Sequence, residues 1–339
     1  MYDIIGYPFG WVMWLLYQLA HNYLLDLILF TIITKLILLP ITIKQQKNTA
    51  KMTLFQPKLE QLKKKYGNNQ QKYQEEVQKL YQTEGVNPAS SCLPMIIQML
   101  LLFGIYDVVN KPLTHILRMS KETVNTFVNF AYNIENFKGG VNSLQAQLHA
   151  FNLFKQNPDA FSSVLDAKTM DALNGFNLTF FGINFGEIPT WSWNLLIIIP
   201  VLSGITALAS GMISFFINRK NNPAANQGGM SMGLMLLFAP IMSFWIAFNV
   251  PAGVGVYWII SNIIIIIQTI IIAKIFTPEK LKEIAQKEVE KAKEKRKITT
   301  TYEVVDEVTG EVTTSVKELT DAEKIAAARK KMAEKYGED

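Results

Sequence analysis

Residues 221–273 read NNPAANQGGMSMGLMLLFAPIMSFWIAFNVPAGVGVYWIISNIIIIIQTIIIA, 53 consecutive positions without Asp, Glu, Lys or Arg. A helix or strand in a soluble protein keeps one face wet, and an uncharged stretch of this length has no such face. It therefore reads as two membrane-crossing helices, Met232 to Asn249 (with Pro240 near its middle) and Val254 to Ala273, joined by the short turn Asn249 to Gly253. Working outward, charge is also absent from 4–25, 36–43, 89–106 and 188–218, whereas residues 274–339 hold 30 of the 61 charged side chains. The averages (339 residues, 18% charged, pI about 9.0) conceal this segregation. A soluble single-core enzyme is excluded, and so is disorder over most of the chain. A single cysteine, Cys92, excludes an intrachain disulfide framework and any multi-cysteine metal site. His21, His115 and His149 lack ligand spacing, so neither a metal nor a cofactor is expected.

About 20 apolar residues carry a helix across the hydrocarbon core. Five segments qualify: 24–43, 89–108, 195–217, 232–249 and 254–273. Trp11 to Ala20 is too short to span, so residues 1–23 are expected to form an interfacial amphipathic helix. Basic residues then set the orientation. There are none in 1–23, nine in 44–88, six in 111–192, two in 218–231 and fifteen in 274–339. Positive-inside counting places 44–88, 218–231 and 274–339 in the cytoplasm, with the N-terminus and the loop 109–194 outside. The expected fold class is an all-α polytopic membrane protein: five transmembrane helices around a hydrophilic groove, a cytoplasmic helical hairpin and an N-terminal interfacial helix.

In 44–88, Met52, Phe55, Leu59, Leu62 and Tyr66 form one apolar stripe, and after Gly67-Asn68-Asn69 it resumes at Tyr73, Val77 and Leu80. That pattern predicts a helical hairpin, with the membrane helix ending or bending near Pro57. Its nine basic and four acidic residues suit either a solvated face near anionic lipid or a docking surface. Thr190-Trp191-Ser192-Trp193 places aromatics at the membrane interface ahead of the third span. In the tail, Lys280 to Lys297 reads as a basic helix, Thr301 to Val316 as a small hairpin around Thr309-Gly310, and Thr320 to Glu323 as a capping box.

Lys35 breaks the first span near mid-bilayer, roughly 13 to 16 Å from either end. A lysine there costs at least about 2.5 to 3.5 kcal/mol. Asp26, about 13 Å away along the same helix, and Asp107, at the end of the second span, are not placed to pair with it. A water-filled groove accounts for the charge; the alternative is an ammonium capping backbone carbonyls near Pro40 or Pro94. Gln98, Ser203, Thr206, Ser210, Ser261, Asn262 and Gln268 are candidates to line such a groove, although small and amide side chains also pack membrane helices together. No nucleophile and base pair and no phosphate-cradling loop occurs in the spans, so an enzyme is not expected. Nor is there the intramembrane carboxylate of an ion-coupled carrier.

From about Pro8 to Lys274 the chain resembles the YidC/Oxa/Alb family of membrane protein insertases, in its Gram-positive-like form. Five blocks carry the likeness in order: Ile32 to Pro40; Leu54 to Leu59; Gly85 to Pro88 with Cys92 to Gln98; Ile199 to Gly204; and Pro251 to Asn262 with Gln268. The resemblance implies five core helices around a positively charged groove open to cytoplasm and lipid. Short polar tails of nascent membrane proteins would enter that groove, and hydrophobic segments would leave it into the lipid bilayer. It also implies roles by position: Lys35 as the groove charge, Trp258 as an aromatic substrate contact, and Lys51 to Glu84 as the docking hairpin, with Lys51, Phe55, Pro57, Lys58, Lys63, Lys64 and Lys65. Implied partners are the Sec translocon and, through the basic tail, the ribosome; a monomer in the bacterial cell membrane is expected. Most members carry arginine where this chain has Lys35, and Ser210 stands where related Gram-positive sequences often have glutamine. A channel or carrier, or a non-translocating assembly scaffold, remains an alternative.

Overall fold

The computed structural model describes the backbone of residues 2–84, 93–136, 139–221, 229–298, 302–305 and 312–315, and the side chains of 6–84, 96–136, 139–217 and 238–291. The chain divides into two compact units, 1–46 with 89–278, and 47–88 with 279–339.

In the first unit, α1 (Tyr2–Ala20) is followed at His21 by left-handed backbone, and Asn22 Oδ1 accepts the N–H of Leu25 to start α2 (Tyr23–Leu54). This helix runs through Pro40 without ending and continues eleven residues past 43. It stops at Leu54, and the next helix opens with Pro57 in its first turn, as the sequence suggested. α1 packs along α5 (Leu93–Asn110), and its glycines leave room for the side chains of Asp107 and, just beyond α5, His115. A Cβ at Gly6 would fall 2.1 Å from Asp107 Oδ2, and one at Gly10 would fall 2.5 Å from His115 Nδ1.

Segment 111–192 folds as α6 (Pro112–His115), α7 (Lys121–Ile134), α8 (Ala146–Gln156), α9 (Ala167–Gly175) and a hairpin of β1 (Thr179–Phe180) with β2 (Ile183–Asn184). Its interior is aromatic. Phe161 meets Phe127, Phe130 and Phe154 at 5.2, 5.3 and 5.5 Å between ring centres. Phe176 meets Tyr17, Tyr23 and Phe151 at 5.4, 5.9 and 5.4 Å, tying the segment to α1 and to the start of α2. Edge-on pairs of this kind add to the burial term.

α9 is capped by Asp166, which accepts the N–H of Thr169 at 2.7 Å. The Thr169 hydroxyl, then its backbone N–H, hold this carboxyl below its ordinary value. A depressed acid stabilises the fold above the ordinary carboxylate value of about 3.9 and loses that contribution as pH falls through its lower folded value. Amide protection at α9, taken relative to the intrinsic exchange rate at each pH, is therefore expected to fall below about pH 4 in the native chain, and Asp166→Asn should remove that pH dependence.

The remaining helices are α10 (Ile198–Asn221), α11 (Gly229–Ala247) and α12 (Ala252–Ile275), with α10 packed against both others. The strand loop anchors the start of α12. Ala252 and Gly253 donate their N–H groups to the carbonyls of Glu187 and Phe185, at 2.8 Å each, which satisfies donors a helix start leaves open. Three helices, 23–54, 195–217 (entered through a short 3-10 turn) and 252–275, are long and apolar enough to cross a membrane. The described parts of two others, 96–110 and 238–247, are apolar but shorter.

In the second unit, α3 (Gln56–Tyr66) and α4 (Gln70–Glu84) form the helical hairpin, and Lys58 pairs with Glu84 at 2.5 Å. α13 (Pro278–Ile298) buries Leu281, Ala285 and Val289, one residue per turn. Val289 packs with Phe55, flanked by Met52, Leu80 and Tyr81, and Lys51 pairs with Glu288. β3 (Tyr302–Val305) and β4 (Val312–Ser315) pair antiparallel with Val305 opposite Val312. Their turn and the capping box at 320–323 lie outside the described residues.

Candidate functional site

The site is built on one face of α2. Lys35 is buried, and its Nζ donates to Gln98 Oε1 on α5 at 2.9 Å. The acceptor is thus a side-chain amide one turn beyond Pro94, not a backbone carbonyl. Gln98 Nε2 in turn reaches the hydroxyl of Tyr257 at 3.4 Å, and Ser261 is buried one turn further along α12. From the far end of α12, Gln268 Nε2 donates to the backbone carbonyl of Lys35 at 3.2 Å. Three helices therefore converge on the lysine through polar groups. Among the described residues no carboxylate lies within ion-pair distance of Nζ, and the ammonium spends one of its three N–H groups on the protein.

The other sequence candidates gather one helix over. Asn262 Nδ2 donates to Thr206 Oγ1 at 3.2 Å, linking α12 to α10, and Ser203 bonds Ser243 of α11 at 2.7 Å. Thr206 also donates back to Leu202 O at 2.7 Å, which is helix packing. Ser210 is buried on α10 and Trp258 is half-buried against the core. Tyr257 and Ser243 escaped the sequence reading. The signal for Tyr257 was there, since it sits four residues before Ser261 on the same helix face; Ser243 gave none.

The docking residues separate into two groups. Lys51 and Phe55 are engaged by α13 and Lys58 by Glu84, whereas Lys63, Lys64 and Lys65 are exposed at the end of α3. Lys65 and Lys72 both lie over the Tyr66 ring, at 5.1 and 5.7 Å.

The two acids near the first two spans go elsewhere. Asp107 takes Lys111 at 2.9 Å and His115 at 2.8 Å in a buried cluster beneath α1. Asp26 is fully buried with neither carboxylate oxygen hydrogen-bonded among the described residues, and the hydroxyl of Tyr23, one turn earlier, is likewise without a partner. An unmet buried acceptor costs about 1 to 3 kcal/mol. Asp26→Leu, which removes the acceptors, is expected to raise stability by an amount of that order, read as a higher thermal midpoint of the detergent-solubilised chain.

These features define a class: a helical membrane protein holding an ammonium among amides and hydroxyls where apolar helices converge. The family model described as 60Kd inner membrane protein matches residues 15–280, and the chain belongs to that family, the YidC/Oxa/Alb group that its motifs resemble. The membrane protein insertase YidC of Treponema denticola is 27% identical over 263 residues, 78% of this chain and 36% of that protein, so the chain spans about a third of that relative. YidC 2 of Listeria innocua is 27% identical over 299 residues, 86% of this chain and 79% of its own length. The YidC of Clostridium perfringens is 27% identical over 271 residues, 79% of this chain and 85% of its own.

Proposed function

We propose that this chain is a bacterial membrane protein insertase, not an enzyme, which passes short polar segments outward through an intramembrane groove and releases hydrophobic segments into lipid. The observation that carries the reading is Lys35, a buried cation with an amide for its partner and, among the described residues, two N–H groups to spare. A fixed positive charge at that depth lowers the crossing barrier of an acidic tail and raises that of a basic one. No bond has to be made or broken. Gln98 orients the ammonium, while Ser203, Thr206, Ser210, Ser261, Asn262 and Gln268 supply hydroxyls and amides along the path, and Trp258 gives the incoming segment an apolar surface. The five helices cross the membrane with residues 1–23 and 109–194 outside and the C-terminus in the cytoplasm. Docking of nascent chains falls to the exposed Lys63, Lys64 and Lys65, because Lys51, Phe55 and Lys58 are already occupied. The Sec translocon and, through the tail, the ribosome are the partners this reading supplies, and the chain acts as a monomer.

The test is reconstitution of the purified chain in liposomes during synthesis of a single-span substrate with a short acidic N-terminal tail. A protease-protected tail that depends on the chain supports the reading. Ion flux without substrate, together with no protected tail, would instead identify a channel.

A further inference from the structure

The β1–β2 hairpin turns through Phe181 and Gly182, with Thr179 opposite Asn184 and Phe180 opposite Ile183. Both turn residues have positive φ, 54° at Phe181 and 75° at Gly182. A two-residue turn of this hand favours Asn, Asp or Gly at its first position, since a bulky side chain is strained there. Phe181 is thus unfavourable twice, because its ring is also 87% exposed at the tip. It does not stand alone. A Cβ on Gly182 would fall 3.3 Å from Leu195 Cδ1, which sets the tip against the start of the third long apolar segment. Trp193, two residues before Leu195, is fully exposed, and Leu195, Ile198, Leu202 and Ile205 form one exposed stripe running from the 3-10 turn into α10. Trp191 stacks on Phe248 at 4.1 Å and meets Phe244 edge-on, so the end of α11 carries aromatics at the same level as the start of α10.

We propose that the Phe181–Gly182 tip, with Trp193, is a membrane anchor that inserts into the neutral headgroup–acyl boundary of the leaflet at the N-terminal end of α10. The occupant follows from continuity and charge. The tip prolongs the apolar face of a helix long enough to cross the bilayer, so the surface covering that face covers the tip as well. Between Asp171 and Arg219 the only charged residue is Glu187, so the hairpin and the turn leading into α10 bring no cation of their own to select anionic headgroups. Aromatic side chains favour this boundary through their amphipathic rings. The anchor rests on reading α10 as a membrane span, and it assigns a role to part of a segment whose role the proposed function leaves open.

The test places an environment-sensitive NBD probe in the full chain. With Cys92→Ser as background, single cysteines are introduced by Phe181→Cys, Trp193→Cys, Asp171→Cys and Ile205→Cys, and each variant is reconstituted in phosphatidylcholine vesicles. Trp193→Cys gives up no packing, so it reports even if Phe181→Cys misfolds. The anchor requires probes at 181 and 193 to be quenched by nitroxides at shallow acyl positions and about threefold or more protected from aqueous iodide relative to 171. Added phosphatidylglycerol should leave both values unchanged. Iodide access at 181 and 193 equal to that at 171, with 205 buried in lipid, overturns the anchor alone. Iodide access at 205 as well overturns the membrane reading of α10 and the anchor with it. A dependence on phosphatidylglycerol overturns the neutral-boundary assignment.

Discussion

Replacing Lys35 with glutamate is expected to cut insertion of a substrate with a short acidic tail by about a hundredfold, while a basic-tailed substrate loses little or gains. One charge pair about 6 Å apart at an effective dielectric near 20 is worth about 3 kcal/mol, and reversing its sign changes the balance by about twice that. If half of the change reaches the barrier, the rate falls about a hundredfold. Lys35→Arg keeps the sign and should retain most activity, whereas Lys35→Gln should fall between the two. Protease protection of matched acidic- and basic-tailed substrates in the same vesicles reads the difference. An equal loss for both tails points to a folding defect rather than to charge.

Phe176→Ala should be the most disruptive single truncation in segment 111–192. Its ring is fully buried and touches Tyr17, Tyr23 and Phe151, so three elements lose a shared contact. Deleting a buried phenyl costs about 3 to 5 kcal/mol. The thermal midpoint of the full chain should fall, and limited proteolysis should cut within 111–192 before the long apolar helices. Unchanged proteolysis of that segment would show that Phe176 does not hold it to α1 and α2.

The long helices were legible because hydropathy alone specifies them: the apolar segments 195–217 and 254–273 coincide with α10, entered through its 3-10 turn, and with α12. Pro57 located the end of α2 for a stated stereochemical reason, and the Gly67-Asn68-Asn69 turn located the hairpin. The extension of α2 to Leu54 was less visible, since residues 44–54 are polar but contain no helix breaker, so the helix continues after the apolar run ends. The aromatic interior of 111–192 left no periodic signal, because Phe127, Phe154, Phe161 and Phe176 come from different elements and meet only in three dimensions. The pairing of α13 with Met52 and Phe55 is equally non-local. At the site, Lys35 stood out from its energetic cost, and Gln98, Ser261 and Gln268 were found as polar residues in apolar helices. The Tyr257 hydroxyl gave no signal of its own, because a tyrosine is also an ordinary interfacial residue of membrane helices. Its hydroxyl became informative once α5 was seen to bring Gln98 beside it.

The groove itself is tested most directly by photocrosslinking from its walls during synthesis. A photoreactive side chain at Trp258, beside the buried Tyr257, should capture the polar tail of an acidic-tailed substrate stalled before completion, and one at Ile267, exposed on the same helix, should capture the hydrophobic segment or lipid. Tail adducts at 258 that exceed those at 267 and fall with Lys35→Glu are the expected result. Equal tail adducts at both positions, or adducts at 258 indifferent to the charge at 35, would contradict a substrate path past Lys35.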